Sequence, residues 1–377
     1  MRIDAGAVVE RPGLYVHIPF CLTKCPNCGF YSITDLSLIA AFLDALEAEA
    51  GFYSTTFGAF DSLYLGGGTP SVLNSPQLAR LFHILRSSFD FHPDTEVTVE
   101  VNPDDVTAHK AEVLALYGVN RVSVGVQSFD ESKLAFLGRR HTATAAHRAI
   151  ETIKASVITN LGIDLMYGLP GQTRKGWETT LEQALSYEPL HLSCYQLTME
   201  KGTPFATRQT EGHMQVADEK EQADLFLATS RFLERRGFIH YEVSNFARGK
   251  VSVSRHNSKY WHHVPYLGLG PGAHSFDGRK RSWNHRSVEK YCTTCNQGGK
   301  PVEGSELLTD EQLRLERLLL GLRTKEGVGL AEGGIRSGPG SPLGRLVQSG
   351  LVMVRHGRVL PTRKGFLMAD RLPVTLE

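Results

Sequence analysis

The sequence predicts an α/β protein: an open barrel of six strand–helix units, followed by a small C-terminal α+β domain. Two observations predict the barrel. Short apolar runs of strand length alternate with segments of helical periodicity from residue 14 to residue 197. The runs are near-continuous in Val, Ile and Leu, as expected for parallel strands covered on both faces. A third observation sets the boundary. The alternation stops after Thr198, and from Thr309 a compact set of helix and hairpin patterns begins.

The elements follow in order. Residues 14–20 form the first strand, and a helix over 36–54 carries Leu38, Phe42, Ala45 and Leu46 on one stripe. The second strand, 61–65, ends in Gly66-Gly67-Gly68-Thr69-Pro70. Ser75 caps a helix over 75–89, with Pro76 at its first position. The third strand, 96–101, ends at Asn102-Pro103, and a helix covers 107–117. The fourth strand, 121–126, ends in Gln127-Ser128-Phe129, with helices over 131–137 and 143–155. The fifth, 161–166, ends in Tyr167-Gly168-Leu169-Pro170-Gly171, with a helix over 173–186, and the sixth spans 191–197. Every distinctive loop follows a strand, the edge where chemistry collects in α/β barrels.

Downstream, residues 214–236 read as one long helix and 238–246 as a strand, while 255–276 are rich in His, aromatics and Gly. A helix spans 309–322, 327–344 is Gly-rich, and a short helix ends within 345–350. Two strands, 351–355 and 358–361, pair across His356-Gly357, and 362–372 is helical. Three domains are expected: 1–250, 251–305 and 306–377.

Composition narrows the function. A net charge of +1 over 377 residues gives no argument for nucleic acid or an anionic membrane as main partner. No apolar run is long enough to span a bilayer, and residues 1–12 lack the apolar segment of a signal peptide. A cytoplasmic location is expected, where thiols stay reduced.

Three of the six cysteines, Cys21, Cys25 and Cys28, lie within eight residues just after the first strand. Such a loop can turn three thiolates toward one iron–sulfur cluster and leave one iron open. The competing reading is a structural zinc held by Cys25, Cys28, Cys292 and Cys295, which leaves Cys21 unused. The glycines at 66–68 let backbone approach a ligand closely. Glu100, Gln127 and Asp164 sit at successive strand ends, and Arg139 could fork a carboxylate. Glu100 reads equally as a surface acid capping a strand. Asp164, inside an apolar strand, needs a partner.

The spacing Cys-x3-Cys-x2-Cys is similar to the signature of the radical S-adenosylmethionine (SAM) superfamily. That resemblance implies a partial (β/α)6 barrel and a [4Fe–4S] cluster whose open iron is chelated by SAM, which the cluster cleaves to a radical. His17-Ile18-Pro19-Phe20-Cys21, residues 66–70, Glu100-Val101-Asn102-Pro103, residues 125–129, Gly138-Arg139-Arg140-His141 and residues 164–171 resemble the oxygen-independent coproporphyrinogen III oxidase family over nearly the whole chain. Carried across, Tyr15, Gly67 and Glu100 contact the cluster-bound SAM. Gly68, Thr69, Gln127, Arg139 and Asp164 line a neighbouring pocket that holds a second SAM in the oxidase.

Two departures select a branch. Phe30 stands where the oxidase has a further cysteine, and only about a dozen residues precede the first strand. Both features, with His256-Asn257-Ser258-Lys259-Tyr260-Trp261, resemble the HemW heme-chaperone branch of that family. The resemblance implies a protein that binds a [4Fe–4S] cluster, SAM and heme, and passes heme to an acceptor protein, including acceptors at a membrane. Heme is expected near His256, with His256, His262 or His263 able to ligate its iron; the bland reading makes His256 a hydrogen-bonded loop residue. A radical SAM enzyme that decarboxylates or methylates a porphyrin is the alternative. The C-terminal unit resembles a winged helix and reads as a docking or lid domain rather than a regulator that binds DNA.

Overall fold

The protein is described here by a computed structural model, which covers residues 11–338 and 340–376. The expected lack of an apolar leader falls largely on residues 1–10, outside those described. Among the described residues no helix is long and apolar enough to cross a membrane.

Six strands pair in chain order, all parallel: β1 (Gly13–Ile18), β2 (Phe60–Gly67), β3 (Phe91–Val101), β4 (Arg121–Gln127), β5 (Asn160–Tyr167) and β6 (His191–Gln196). Helices α1 (Ile39–Tyr53), α2 (Ser75–Ser88), α3 (Ala108–Leu116), α4 (Glu131–Phe136), α5 (Ala143–Lys154) and α6 (Arg174–Leu185) fill the connections. Side chains start these helices where the backbone needs them. Asn74 and Gln77 form a capping box on α2, so the cap is Asn74 and not Ser75, which is the first helical residue. Thr107, Asp130, Thr142 and Thr173 cap α3 to α6.

The strands are not apolar on both faces. Val122, Val124 and Val126 of β4 face the core, and so do Leu161, Ile163 and Leu165 of β5. The residues between them, Arg121, Ser123, Gly125, Asp164 and Met166, line an interior cavity. The period-two alternation puts a polar face inside the curve of the sheet and an apolar face under the helices.

Two later segments also differ from expectation. Residues 204–210 form a short helix, α7 (Pro204–Thr210), and a capping box of Asp218 and Glu221 starts α8 (Glu219–Glu234) only at Glu219. The strand expected at 238–246 is a tight pair, β7 (Ile239–His240) and β8 (Asn245–Ala247). The buried Glu242 carboxylate accepts the Ser244 N–H at 3.2 Å and turns the chain there.

The helix α9 (Arg255–Trp261) is followed by β9 (Tyr266–Leu269), which pairs parallel with β1. The strands β10 (His274–Phe276) and β11 (Lys280–Asn284), the helix α10 (Val288–Asn296) and the strand β12 (Val302–Leu307) complete this edge, giving a twelve-stranded sheet. The C-terminal unit contains α11 (Asp310–Gly321), β13 (Val328–Gly329), α12 (Pro342–Gln348), β14 (Val352–Arg355), β15 (Arg358–Pro361), α13 (Arg363–Phe366) and α14 (Leu372–Leu376). Its wing has three strands, since β13 joins the expected hairpin. His356 (φ 49°) and Gly357 (φ 71°) take the left-handed geometry of a two-residue hairpin turn. Leu318, Val328, Leu346 and Val359 form a small core of this unit, while Phe366 packs into the barrel core.

Glu49 of α1 is a buried hub. Its carboxylate accepts from the Gly270 N–H (2.8 Å), Asn284 Nδ2 (2.5 Å) and the Tyr291 hydroxyl (2.6 Å), which ties α1 to β11, α10 and the turn after β9. Burial raises its pKa from 4.5 to about 7 against these bonds. A carboxyl raised on folding favours the folded state most below its unfolded value, and that contribution is lost as pH rises to the folded value. Wild type should therefore lose on the order of 2–3 kcal/mol through this group between pH 4.5 and 7. Glu49→Gln should remove that contribution, read as the difference from wild type in urea melts run across the window, over a background in which Glu100, Glu242 and Asp164 are raised in the same sense and the buried histidines His17, His141, His240 and His256 are lowered and act in the opposite one.

Candidate functional site

The loop after β1 carries Cys21, Cys25 and Cys28, all half-buried, unoxidised and facing one cavity. Its position is fixed from several sides. The Cys21 N–H donates to Ile33 O (2.9 Å), and the Ile33 N–H donates to Pro19 O (2.8 Å). Arg286 Nη2 donates to Gly29 O (2.7 Å), and the Phe205 N–H to Pro26 O (3.1 Å). His17 Nε2 lies 2.8 Å from Tyr31 O.

The cavity measures about 970 Å³ and opens at the C-terminal ends of β2 to β6. Of the expected site residues, Cys21, Cys25, Cys28, Gly68, Thr69, Glu100, Gln127, Arg139 and Asp164 line it together. Thr69 Oγ1 sits 3.3 Å from Cys21 Sγ. Arg139 donates from Nη1 to Cys25 Sγ (3.3 Å) and from Nη2 to Gly125 O (3.0 Å), while its Nε is buried and unpartnered. Gln127 holds a left-handed φ of 66° beside the register shift that ends β4. A non-glycine residue there is strained, a cost that functional sites tend to carry.

The two buried acids differ. Glu100 accepts the Tyr64 hydroxyl at 2.7 Å. Burial raises its pKa to about 7, the Tyr64 and Gly67 hydrogen bonds oppose the rise, and nearby Asp164 adds to it. Asp164 accepts from Ser123 Oγ (2.9 Å). Burial raises Asp164 too, opposed by Ser193, Ser123, Arg121 and Arg139. A ligand ammonium or hydroxyl beside these acids would find an acceptor whose charge is not yet fully committed.

Tyr15, Gly67 and His256 do not line the cavity. The Tyr15 hydroxyl lies 3.0 Å from His17 Nδ1. Gly67 has φ 105°, and a Cβ there would fall 2.6 Å from the His17 ring, so it shapes the loop from behind. His256 is 1% exposed, with Nδ1 3.0 Å from Ser62 Oγ and Nε2 2.9 Å from the Tyr260 hydroxyl. Its ring stacks on Tyr64, and burial lowers its pKa to about 3, with Lys259 adding to the effect. Both ring nitrogens are engaged, so His256 plugs the inside of the barrel, and from this helix only Asn257 reaches the cavity. Of the other two histidines, His262 is exposed and His263 pairs with Glu316 at 2.8 Å.

Sequence reasoning missed Tyr64, Thr98, Arg121, Ser123, His191, Ser193, Tyr195 and Asn257, all of which line the cavity. Thr98 Oγ1, Arg121 Nε and His191 Nδ1 are buried there without a partner. The signal was a polar residue at every second position of β3, β4 and β6, within runs read as apolar.

The cavity suits a cluster better than a single ion. Among the described residues no three His, Cys, Asp or Glu side chains gather closely enough to hold one metal ion. A cubane asks for something else, since its three thiolates bind three different irons. Cys292 and Cys295 are buried on α10 and do not line the cavity, which removes the four-cysteine zinc arrangement.

Comparison with known proteins agrees with this geometry. Residues 15–184 match the radical SAM superfamily. A Bacillus subtilis protein named heme chaperone HemW is 34% identical over 372 residues, covering 95% of this chain and 97% of the relative. A Mycobacterium tuberculosis protein of the same name is 33% identical, covering 98% of each. A zebrafish (Danio rerio) protein named radical S-adenosyl methionine domain-containing protein 1, mitochondrial, is 33% identical over 87% of this chain and 76% of its own. Among solved structures, the Escherichia coli coproporphyrinogen III oxidase HemN, described as a radical SAM enzyme, superimposes with a TM-score of 0.83 at 26% identity, covering 97% of this chain and 90% of that one.

Proposed function

The chain belongs to the HemW family of the radical SAM superfamily, and from that premise we propose that it is a heme chaperone. It holds a [4Fe–4S] cluster through Cys21, Cys25 and Cys28, takes SAM in the adjoining cavity, binds heme and hands it to an acceptor protein in the cytoplasm. The observation that carries this reading is the convergence of the three thiols with Thr69, Glu100, Arg139 and Asp164 on one cavity.

The bound cluster supplies an open coordination position and one-electron chemistry. The chain's own groups do the rest. Gly68 and Thr69 bring backbone against the cysteine loop. Glu100, steadied by Tyr64, accepts from a ligand ammonium or hydroxyl, and Arg139 steadies the Cys25 sulfur. The α9 plug supports the floor through the His256–Tyr64 stack. We assign His256 to that floor, because its buried ring does not line the cavity, and ligation would cost it the hydrogen bond at the coordinating nitrogen.

Oxidative decarboxylation of coproporphyrinogen III is the second reading, favoured by the shared fold with the oxidase. Phe30, which fills the position of the oxidase's further cysteine, stands against it. Anaerobic reconstitution with iron and sulfide, followed by incubation with SAM, a reductant and coproporphyrinogen III, separates the two. The chaperone reading expects no substrate loss, and hemin uptake seen by absorbance in the same preparation. Turnover would move the assignment to the oxidase.

A further inference from the structure

The barrel end opposite the cysteine loop holds polar groups that nothing in the chain satisfies. Arg121 and His191 are the first residues of β4 and β6. The mouth residue Gln127 closes the same seven-residue β4, about 20 Å away along the strand. Arg121 is 2% exposed and His191 1%, yet both line the cavity. The Arg121 guanidinium is held by neutral acceptors, with Nη1 donating to Asn160 Oδ1 (3.1 Å) and Ser252 O (3.4 Å). No carboxylate pairs with it among the described residues. Nearby Asp164 gives its oxygens to Ser123 and Ser193 instead. A buried guanidinium without a counter-charge is costly, and the Arg121 Nε–H has no partner.

Two further donors stand beside it. The Tyr241 hydroxyl oxygen is supported by the Ser254 N–H, so its own proton goes to His191 Nε2 at 2.7 Å. Burial keeps the imidazole neutral, and its single proton then sits on Nδ1, which is buried and unpartnered. Thr98, directly opposite Arg121 in the β3–β4 register, has a buried hydroxyl with no partner. Room for a ligand adjoins these groups. Ser123, Gly162 and His191 stand in line across β4, β5 and β6, and the middle residue has no side chain. A Cβ at Gly162 would lie 3.3 Å from Ser123 Oγ and 3.7 Å from His191 Nδ1, so the gap that the glycine leaves opens on the imidazole donor.

We propose that this inner end of the barrel is a carboxylate-binding pocket, in which Arg121 Nε, His191 Nδ1 and Thr98 Oγ1 donate to the anion and Gly162 leaves it room. None of these residues belongs to the groups assigned above to the cluster and SAM, and the pocket stands whether or not the chain carries heme. Water could satisfy the three hydrogens but would leave the guanidinium charge uncompensated, whereas a carboxylate does both. Glu100 and Asp164 face the same cavity, but burial raises both, so a bound anion does not meet two full charges.

The test is a titration of the full-length chain with isotope-labelled formate, acetate and hexanoate, followed by the line width and shift of the labelled carboxylate in nuclear magnetic resonance. Wild type should bind acetate saturably, with a Kd of about 1 mM. Thr98→Val keeps the volume and removes a hydroxyl that has no partner in the chain, so it should fold as wild type does and weaken acetate about fivefold. Gly162→Ala fills the gap and should weaken it about tenfold or more. Arg121→Gln, where circular dichroism shows it folded, should abolish saturable binding. Affinity that rises from acetate to hexanoate would support the pocket as the seat for the end of a longer ligand reaching in from the mouth. Formate and acetate binding as tightly as hexanoate would support it as the seat of a free small anion. No saturable binding by wild type, or unchanged affinity in both Thr98→Val and Gly162→Ala, would overturn the pocket.

Discussion

Cys21→Ser should abolish retention of iron. After anaerobic reconstitution wild type is expected to hold about four irons and four sulfides per chain, as a cubane requires. The variant should hold less than about one, because a serine oxygen is a poor substitute for thiolate on soft iron. The fold should survive. Cys21 is half-buried, outside the hydrophobic core, and the loop is anchored by backbone bonds at residues 19–33 and by Arg286 rather than by the thiol. Iron and sulfide analysis checks this, with circular dichroism as the fold control. Cys25→Ser should behave alike. Cys292→Ser and Cys295→Ser should leave iron content unchanged, since both thiols are buried on α10 away from the cavity.

Gly68→Ala has the second largest expected effect, and its reason is steric. A Cβ at Gly68 would lie 2.7 Å from Phe20 O, 2.8 Å from Ile18 O and 2.9 Å from the Phe20 nitrogen. All three are backbone atoms, so no side chain can swing aside. The loop would have to withdraw, breaking the bonds from the Gly68 N–H to Ile18 O (2.8 Å) and from the Thr69 N–H to Phe20 O (2.8 Å). Thr69 would then leave Cys21. A cost of about 4 kcal/mol or more is expected, in the range that marks a backbone clash rather than a lost contact. SAM affinity should fall with it, measured by calorimetry on the reconstituted protein. Gly51→Ala in α1 is the matched control. A Cβ there meets nothing within 4 Å, so the change should stabilise by about 0.5–1 kcal/mol through helix propensity.

These two residues also show what was legible in the sequence. Cys21, Cys25, Cys28 and the glycines at 66–68 are local in chain position, and each group follows a strand. Strand-end position alone therefore brought them to one edge of the sheet. Glu100, Gln127 and Asp164 followed by the same logic. The inner polar face was equally local but was read past. In Arg121-Val122-Ser123-Val124-Gly125-Val126-Gln127 the valines suggested a strand covered by apolar groups on both sides, whereas every second residue lines a cavity.

The setting of His256 was illegible for a different reason. Nothing local to residues 255–261 says that this helix inserts beside Gly13, Ser62 and Tyr64, because its contacts span about two hundred residues of sequence. A histidine among aromatics has the chemistry of a heme ligand, and only the long-range packing shows both of its nitrogens engaged. The third wing strand, β13, is two residues long, too short to carry a periodicity. The split of the strand expected at 238–246 depends on the buried carboxylate of Glu242, and its burial is again set by distant chain.

The measurement that tests the central claim most directly is heme handover. Full-length protein, reconstituted anaerobically and loaded with hemin and SAM, is mixed with an excess of an apo-haemoprotein, and the Soret band of each is followed. The account predicts that hemin passes to the acceptor faster than free hemin dissociates from albumin under the same conditions, with the chain recovered unchanged and reloadable. Retention of hemin by the chain, or release no faster than from albumin, would contradict it.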